Sequence, residues 1–411
     1  MTSDLKKINV CRIIYEFLPA TGGSITHTIE LANHMAPYCN RQFFIVPEVD
    51  QDTTIIDSRF TFEIYRVKTH KFRFLQYLKS HFFKWLPITP LVDLSFSLAA
   101  LKKCLWLNKK HGIDIIHAHG IPVALGAIVA ARLMRKTTVL TLDGTLSSYS
   151  KISGYYEALI YKITNFDHYF VVDNGGPAVN RFKKLKTNSD RFTPVSINID
   201  SSRVYPRIKN LQLLNYLGWK AQNKFIFISV HNLEPIQGVD YSILGFNKLI
   251  KQGNTQNTVL LIVGGGPDKE KLENLVNELE ITDKVIFVGR IENSLIPEYY
   301  SISNVALSTS IKINMNLSTI EAMACKMPVV AFDCGNTSDL LVSNMNTGIL
   351  VKPGSIEELA KAMRMLYDDR DLGDRLGIRA REFIVNNRDW GQRIKTEVDI
   401  YAQLLKQQKR H

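Results

Sequence analysis

Little in this sequence points to a covalent or metal-built scaffold. Of its 411 residues, five are cysteine: Cys11, Cys39, Cys104, Cys325 and Cys334. The number is odd and no pair has the C-x-x-C spacing, which argues against a disulfide framework and a cysteine metal site and fits a reducing compartment. No stretch reaches the ~18 uninterrupted apolar residues that a membrane-spanning helix needs. No apolar run follows the opening Met-Thr-Ser-Asp-Leu-Lys-Lys, so no signal peptide is expected. A dinucleotide fingerprint is missing too. After Gly264-Gly265-Gly266 it would need glycine at 269, where Lys269 stands, and Pro267 interrupts it. No zinc-finger or RNA-recognition signature is present, so nucleic acid is not an expected partner.

What is present fits a globular protein of two domains. The composition is 45% hydrophobic and 22% charged, as in packed rather than disordered chains. The length exceeds one ordinary core. The formal net charge of +12 suits an anionic partner. Part of it alternates with aromatics between His70 and Leu86, in HKFRFLQYLKSHFFKWL. As a helix, this segment would suit a membrane interface, rings among headgroups and cations facing phosphate. The other reading is an amphipathic helix whose rings pack on its own domain.

The stretch from Ser308 to Asp333 organises the rest. It reads as a strand end, a loop, a helix and a strand. Ser318 and Glu321 stand three apart, the spacing of a capping box. Pro328 stops the helix, and Val329 to Phe332 is a short apolar strand. A helix N-terminus at the carboxyl end of a parallel sheet favours anions, in the place where open α/β sheets bind ligands. The remainder alternates similarly. Strands are expected at Lys7–Tyr15, Phe43–Val46, Phe62–Val67, Gly112–Gly120, Lys136–Asp143, Phe166–Asp173, Lys224–Val230, Thr258–Val263 and Lys284–Gly289, with helices between. Gly22 and Gly23 form a turn before a helix, where backbone can approach an anionic ligand.

Glu321-Ala-Met-Ala-Cys-Lys-Met-Pro-Val-Val-Ala331 closely resembles a segment of the family 4 retaining, nucleotide-sugar-dependent glycosyltransferases. His231-Asn-Leu-Glu-Pro-Ile-Gln-Gly-Val-Asp240 is similar to their Gly-Arg-Leu-x-x-x-Lys-Gly-x-Asp. Gly264 to Leu272 resembles their Gly-x-Gly-Pro turn, and Asp114 to His119 their His-x-His strand. The resemblance spans nearly the whole chain. It implies the GT-B architecture: an α/β fold of two Rossmann-like doubly wound domains facing an interdomain cleft. The expected boundaries are 1–200, with about 390–411 packing back on it, and 201–389.

The same resemblance implies sugar transfer, of hexosyltransferase type, from a UDP- or GDP-linked donor to a hydroxyl acceptor with retention. No metal or other cofactor is expected. A lipid-linked or envelope glycan suits the acceptor, with peripheral membrane contact through residues 70–86 and a cytoplasmic location at the inner membrane face. Glu321 is expected on the donor ribose. Asn232, Gln237, Gly264, Gly265, Gly266, Arg290, Leu317 and Ser318 complete the donor side, and Gly22 and Gly23 form the acceptor or phosphate loop. Asp143 and His119 are the catalytic candidates. His117 and His119 share one strand face without a third ligand, so a metal there is not expected.

Four positions depart from the family pattern. Asn232 and Gln237 stand for its Arg and Lys, Asp143 for its His, and Ile313 for its first Glu. An amide can hydrogen-bond a diphosphate but cannot neutralise it. Arg290 or Lys312 could supply the charge. The alternatives are therefore an active transferase, one with altered donor chemistry, and a non-catalytic homologue acting as a binding or partner subunit.

Overall fold

The computed structural model describes residues 8–19, 23–69, 89–142, 159–160, 162–172, 191–218, 224–311, 317–334 and 345–408. The chain divides into two compact units, Met1–Ser196 with Trp390–His411, and Ile197–Asp389.

The first unit is built on a parallel sheet of β1 (Asn9–Ile14), β2 (Arg41–Pro47), β3 (Glu63–Val67), β4 (Ile115–His119), β5 (Thr137–Leu142), β6 (His168–Val172) and β7 (Phe192–Val195). Their order is β3-β2-β1-β4-β5-β6-β7. Central strands are buried along their whole length. That follows from helices covering both faces of a parallel sheet, and it explains their near-continuous apolar runs. Helices α1 (Gly23–Met35), α2 (Thr89–His111) and α3 (Ala124–Met134) connect strands. Phe43, Phe96, Ile116 and Leu140 belong to the main core. The order reverses between β1 and β4, which makes their carboxyl ends a switch point.

The second unit repeats the plan with β8 (Phe225–Val230), β9 (Thr258–Val263), β10 (Val285–Gly289), β11 (Val305–Ser308), β12 (Val329–Phe332) and β13 (Ile349–Val351), ordered β10-β9-β8-β11-β12-β13 and parallel. Its longer helices are α4 (Val239–Lys251), α5 (Lys269–Glu278), α6 (Leu317–Ala324), α7 (Ile356–Asp368) and α8 (Arg370–Asn387). Phe227, Phe246, Leu260 and Met363 sit in its core. Here the switch point lies between β8 and β11. Helix α9 (Trp390–Gln408) returns to complete the first unit. Its buried positions, Trp390, Arg393, Ile394, Glu397, Val398, Tyr401 and Leu404, follow helical spacing, but two are charged.

Three features differ from the sequence reading. Phe192–Val195 is a strand although it contains Pro194; β7 is the sheet edge, where a missing N–H costs no ladder bond. Ile356–Asp368 is a helix not anticipated above. The expected capping box at Ser318–Glu321 is not formed, because α6 already begins at Leu317 and Ser318 lies inside it. The segment 70–86, Gly22, Asp143, Lys312 and Ile313 lie outside the described residues.

Candidate functional site

The carboxyl edge of the second sheet gathers most of the expected donor residues. Backbone bonds zip together the segments leaving β8, β9 and β10. His231 N–H donates to the Val263 carbonyl (3.0 Å), Leu233 N–H to Gly265 (3.2 Å) and Gly264 N–H to Gly289 (2.9 Å). The approach is closer than a side chain allows. A Cβ on Gly264 would stand 1.8 Å from the His231 carbonyl oxygen, and one on Gly266 would stand 2.3 Å from that of Leu233. Gly264 also has φ of +138°, a region essentially reserved for glycine. The Arg290 side chain lies along Gly265, its Cγ 2.8 Å from where a Cβ would be. The glycine turn thus carries a cation on its flank.

Across the switch point, the segments after β8 and β11 are joined. Ile311 N–H donates to the Ile236 carbonyl (3.1 Å), and Ser310 Oγ donates to Gln237 Oε1 (2.8 Å). Gln237 is therefore a tie between two loops, which a lysine could not be through an acceptor. Asn232 is exposed. His231, where the resemblance has glycine, is buried, and burial pushes its imidazole down to about 4. Sequence reasoning gave it no role.

Helix α6 supplies Leu317, Ser318 and Glu321. The Tyr300 hydroxyl donates to the Ser318 carbonyl (2.9 Å), and Thr319 Oγ1 to Ser308 Oγ (2.8 Å), fixing the helix start against β11. Glu321 is buried, and burial pushes its carboxyl up to about 8, so it is largely protonated at neutral pH. A protonated carboxyl can donate as well as accept.

In the first unit, Gly23 opens α1. His119 ends β4 and is buried in a polar network that the sequence reading missed. The network centres on Arg12, fully buried in the middle of β1. Arg12 Nη2 donates to Glu397 Oε1 (3.1 Å), Nε to Gln42 Oε1 (3.4 Å) and Nη1 to His119 Nε2 (3.3 Å), and His117 Nδ1 lies 3.0 Å from Nη1 and 2.6 Å from the Tyr401 oxygen. Tyr401 donates to Glu397 Oε1 (2.9 Å), and Arg393 Nη2 lies 2.9 Å from Glu397 Oε2. The available signal was one arginine in an otherwise apolar strand. Burial pushes the Glu397 carboxyl up, but Arg393, Arg12 and His117 together outweigh it and hold it well below the usual carboxylate range.

Buried neutral histidines make the fold acid-sensitive. Burial lowers His27 to about 3 and His117, His168 and His231 to about 4, from an ordinary value of 6.5. The unfolded chain binds these protons first, so their contribution to stability is complete above about 6.5 and is lost as pH falls toward 4. Glu321 works in the opposite sense. Its folded value is raised, so its contribution is present at low pH and lost as pH rises from its ordinary 4.5 toward 8. The histidines are more numerous, and the expected result is a falling urea midpoint between pH 6.5 and 4. A flat midpoint over that range would contradict their buried neutral state.

Comparison with known proteins agrees with this architecture. Residues 219–383 match the family described as glycosyl transferases group 1. The chain is 27% identical to N-acetyl-alpha-D-glucosaminyl L-malate synthase of Bacillus anthracis over 319 residues, 76% of this chain and 81% of that protein. It is 24% identical to 2-deoxystreptamine glucosyltransferase of Streptomyces kanamyceticus over 305 residues, 69% and 76% of the two. The crystal structure of Anabaena HepE in complex with UDP superposes with a TM-score of 0.76 at 16% identity, covering 97% of this chain and 100% of that one. WaaG, a glycosyltransferase of lipopolysaccharide biosynthesis, gives 0.70 at 16% identity, covering 95% and 99%.

Two parallel-sheet α/β units of this order define the GT-B fold. The match to the group 1 glycosyl transferases falls within the second unit.

Proposed function

We propose that the chain moves a sugar from a UDP- or GDP-linked donor to a hydroxyl acceptor, with retention at the anomeric carbon and without a metal. The observation that carries this reading is the glycine turn at 264–266, at the carboxyl edge of a parallel sheet with Arg290 along it. In this role Arg290 faces the donor diphosphate in place of the cations missing at Asn232 and Gln237. A guanidinium suits that task because its fork matches phosphate geometry. Glu321 bonds the ribose hydroxyls. HepE, of the same fold, was crystallised with UDP and with UDP-glucose.

The acceptor is lipid-linked in this reading, and the chain works at a membrane face. Gly126 brings α3 onto Ser97 of α2, and the helices expose Leu98, Leu105, Trp106, Val129 and Leu133 beside Lys109 and Arg132. Rings, aliphatics and cations together suit an anionic lipid surface. A second reading, a non-catalytic binding subunit, is favoured by Gln237, whose amide is spent on Ser310.

Release of nucleoside diphosphate from a panel of UDP- and GDP-sugars tests the proposal, with glycan and lipid-linked acceptors and with or without anionic vesicles. Acceptor-dependent release is expected, still present under a chelator and faster with vesicles. Arg290→Ala should raise the donor KM by about 10- to 100-fold, the worth of a hydrogen bond to a charged group. Donor binding without release on any acceptor would favour the non-catalytic subunit.

A further inference from the structure

We infer that Arg12 holds His119 in the tautomer with its proton on Nδ1, which makes His119 a hydrogen-bond donor to a substrate oxygen and bars it from serving as a base. Only the identity of that oxygen rests on the proposed transfer reaction; the tautomer does not.

Arg12 Nη1 donates to His119 Nε2 at 3.3 Å; it also lies 3.0 Å from His117 Nδ1, a nitrogen that stands closer, at 2.6 Å, to the Tyr401 oxygen. A guanidinium has donors only and stays charged, so its hydrogen bond to His119 requires a lone pair on Nε2. In a neutral imidazole the other nitrogen then carries the proton. His117 is tied differently: Tyr401 donates its one proton to Glu397 Oε1, so its oxygen accepts from His117 Nδ1–H at 2.6 Å, and His117 Nε2 accepts from Thr141 Oγ1 at 2.6 Å. His119 has no second hydrogen-bond partner among the described residues: its Nδ1 is buried and unpaired, in a residue only 5% exposed. Buried N–H groups are almost always paired, and one left open asks for a ligand or an ordered water.

The position suits a ligand. His119 is the last residue of β4, beside β1 at the switch point of the first sheet. Burial, with His117 and Arg12 alongside, pushes its imidazole well below the ordinary value, so the neutral ring is the resting state. Its one lone pair is occupied by Arg12. No nitrogen remains to take a proton.

Arg12 acts here as a positioning residue. Its own orientation is set from both ends, by Gln42 Oε1 on β2 and by Glu397 Oε1 on α9. The C-terminal helix thus specifies which nitrogen of a β4 histidine carries the proton.

Long-range nitrogen–proton correlation spectra of the full chain, labelled with 15N-histidine, test the tautomer directly. His119→Gln identifies the resonances. The expected pattern at pH 7 is His119 protonated on Nδ1 alone. A His119 proton on Nε2, or on both nitrogens, overturns the inference, whether or not sugar transfer is ever detected. The role is tested by a pair of substitutions. An Asn amide N–H falls close to the place of Nδ1, whereas a Gln amide reaches toward Nε2. In the release assay His119→Asn should keep kcat/KM within about 10-fold, and His119→Gln should lose about 100-fold, the usual cost of a missing oriented donor. Equal losses in both variants contradict the donor role.

Discussion

Replacing Glu397 with alanine is expected to destabilise the first unit by about 3–5 kcal/mol, because it leaves two buried cations without their counter-charge. Glu397 is fully buried and lies within 3.1 Å of Arg12 and 2.9 Å of Arg393. Breaking such a cluster by removing one partner costs far more than the cluster contributes net. Removing it whole should therefore be milder. Arg12→Met with Arg393→Met and Glu397→Leu should lie much nearer the parent than Glu397→Ala alone. The readout must report on the right place, since a chain of two units need not unfold in one step. Trp390 opens α9 and is 2% exposed, packed against His27 and His34 with ring centroids at 4.9 and 5.3 Å. Its fluorescence follows the helix that carries Glu397. An unchanged urea midpoint for Trp390 in Glu397→Ala would show that the cluster is not stabilising.

Gly264→Ala is expected to abolish nucleotide binding, by at least about 100-fold, while leaving the first unit's unfolding untouched. Two causes act together. The added Cβ would meet the His231 carbonyl oxygen at 1.8 Å, and φ of +138° strains any side chain. The His231 oxygen is backbone, so the relief must come from parting the segments after β8 and β9. Gly253→Ala separates the causes. Its φ is +81°, but nothing lies within 4 Å of the new Cβ. It should cost about 1 kcal/mol of backbone strain and leave nucleotide binding unchanged. If both variants bind equally well, the glycine turn is not part of the site.

Legibility followed the range of the interaction. Most strands of the second sheet and the turn at Gly264 were readable because apolar runs and glycine spacing are local properties; the three-residue β13 was too short to read. The same local grammar misled at α6. Ser318 and Glu321 have capping-box spacing, yet the box forms elsewhere and only in part: Ser355 Oγ accepts from Glu358 N–H (3.3 Å), while Glu358 Oε2 accepts from Lys352 N–H (2.8 Å). Burial distinguishes the two glutamates, and burial is not local. The Arg12 network was invisible for a related reason. Arg12 and Glu397 are 385 residues apart, and only the return of α9 to the first unit brings them together. The family resemblance named His119 as catalytic, but it could not show which nitrogen is free, because that depends on Arg12.

The most direct measurement is a calorimetric titration of the purified chain with UDP, GDP and a panel of their sugars, beside Gly264→Ala and Glu321→Ala. Saturable binding of at least one nucleotide, lost in Gly264→Ala and weakened in Glu321→Ala, is the predicted result. A folded chain that binds none of them would contradict a nucleotide-sugar site at the carboxyl edge of the second sheet.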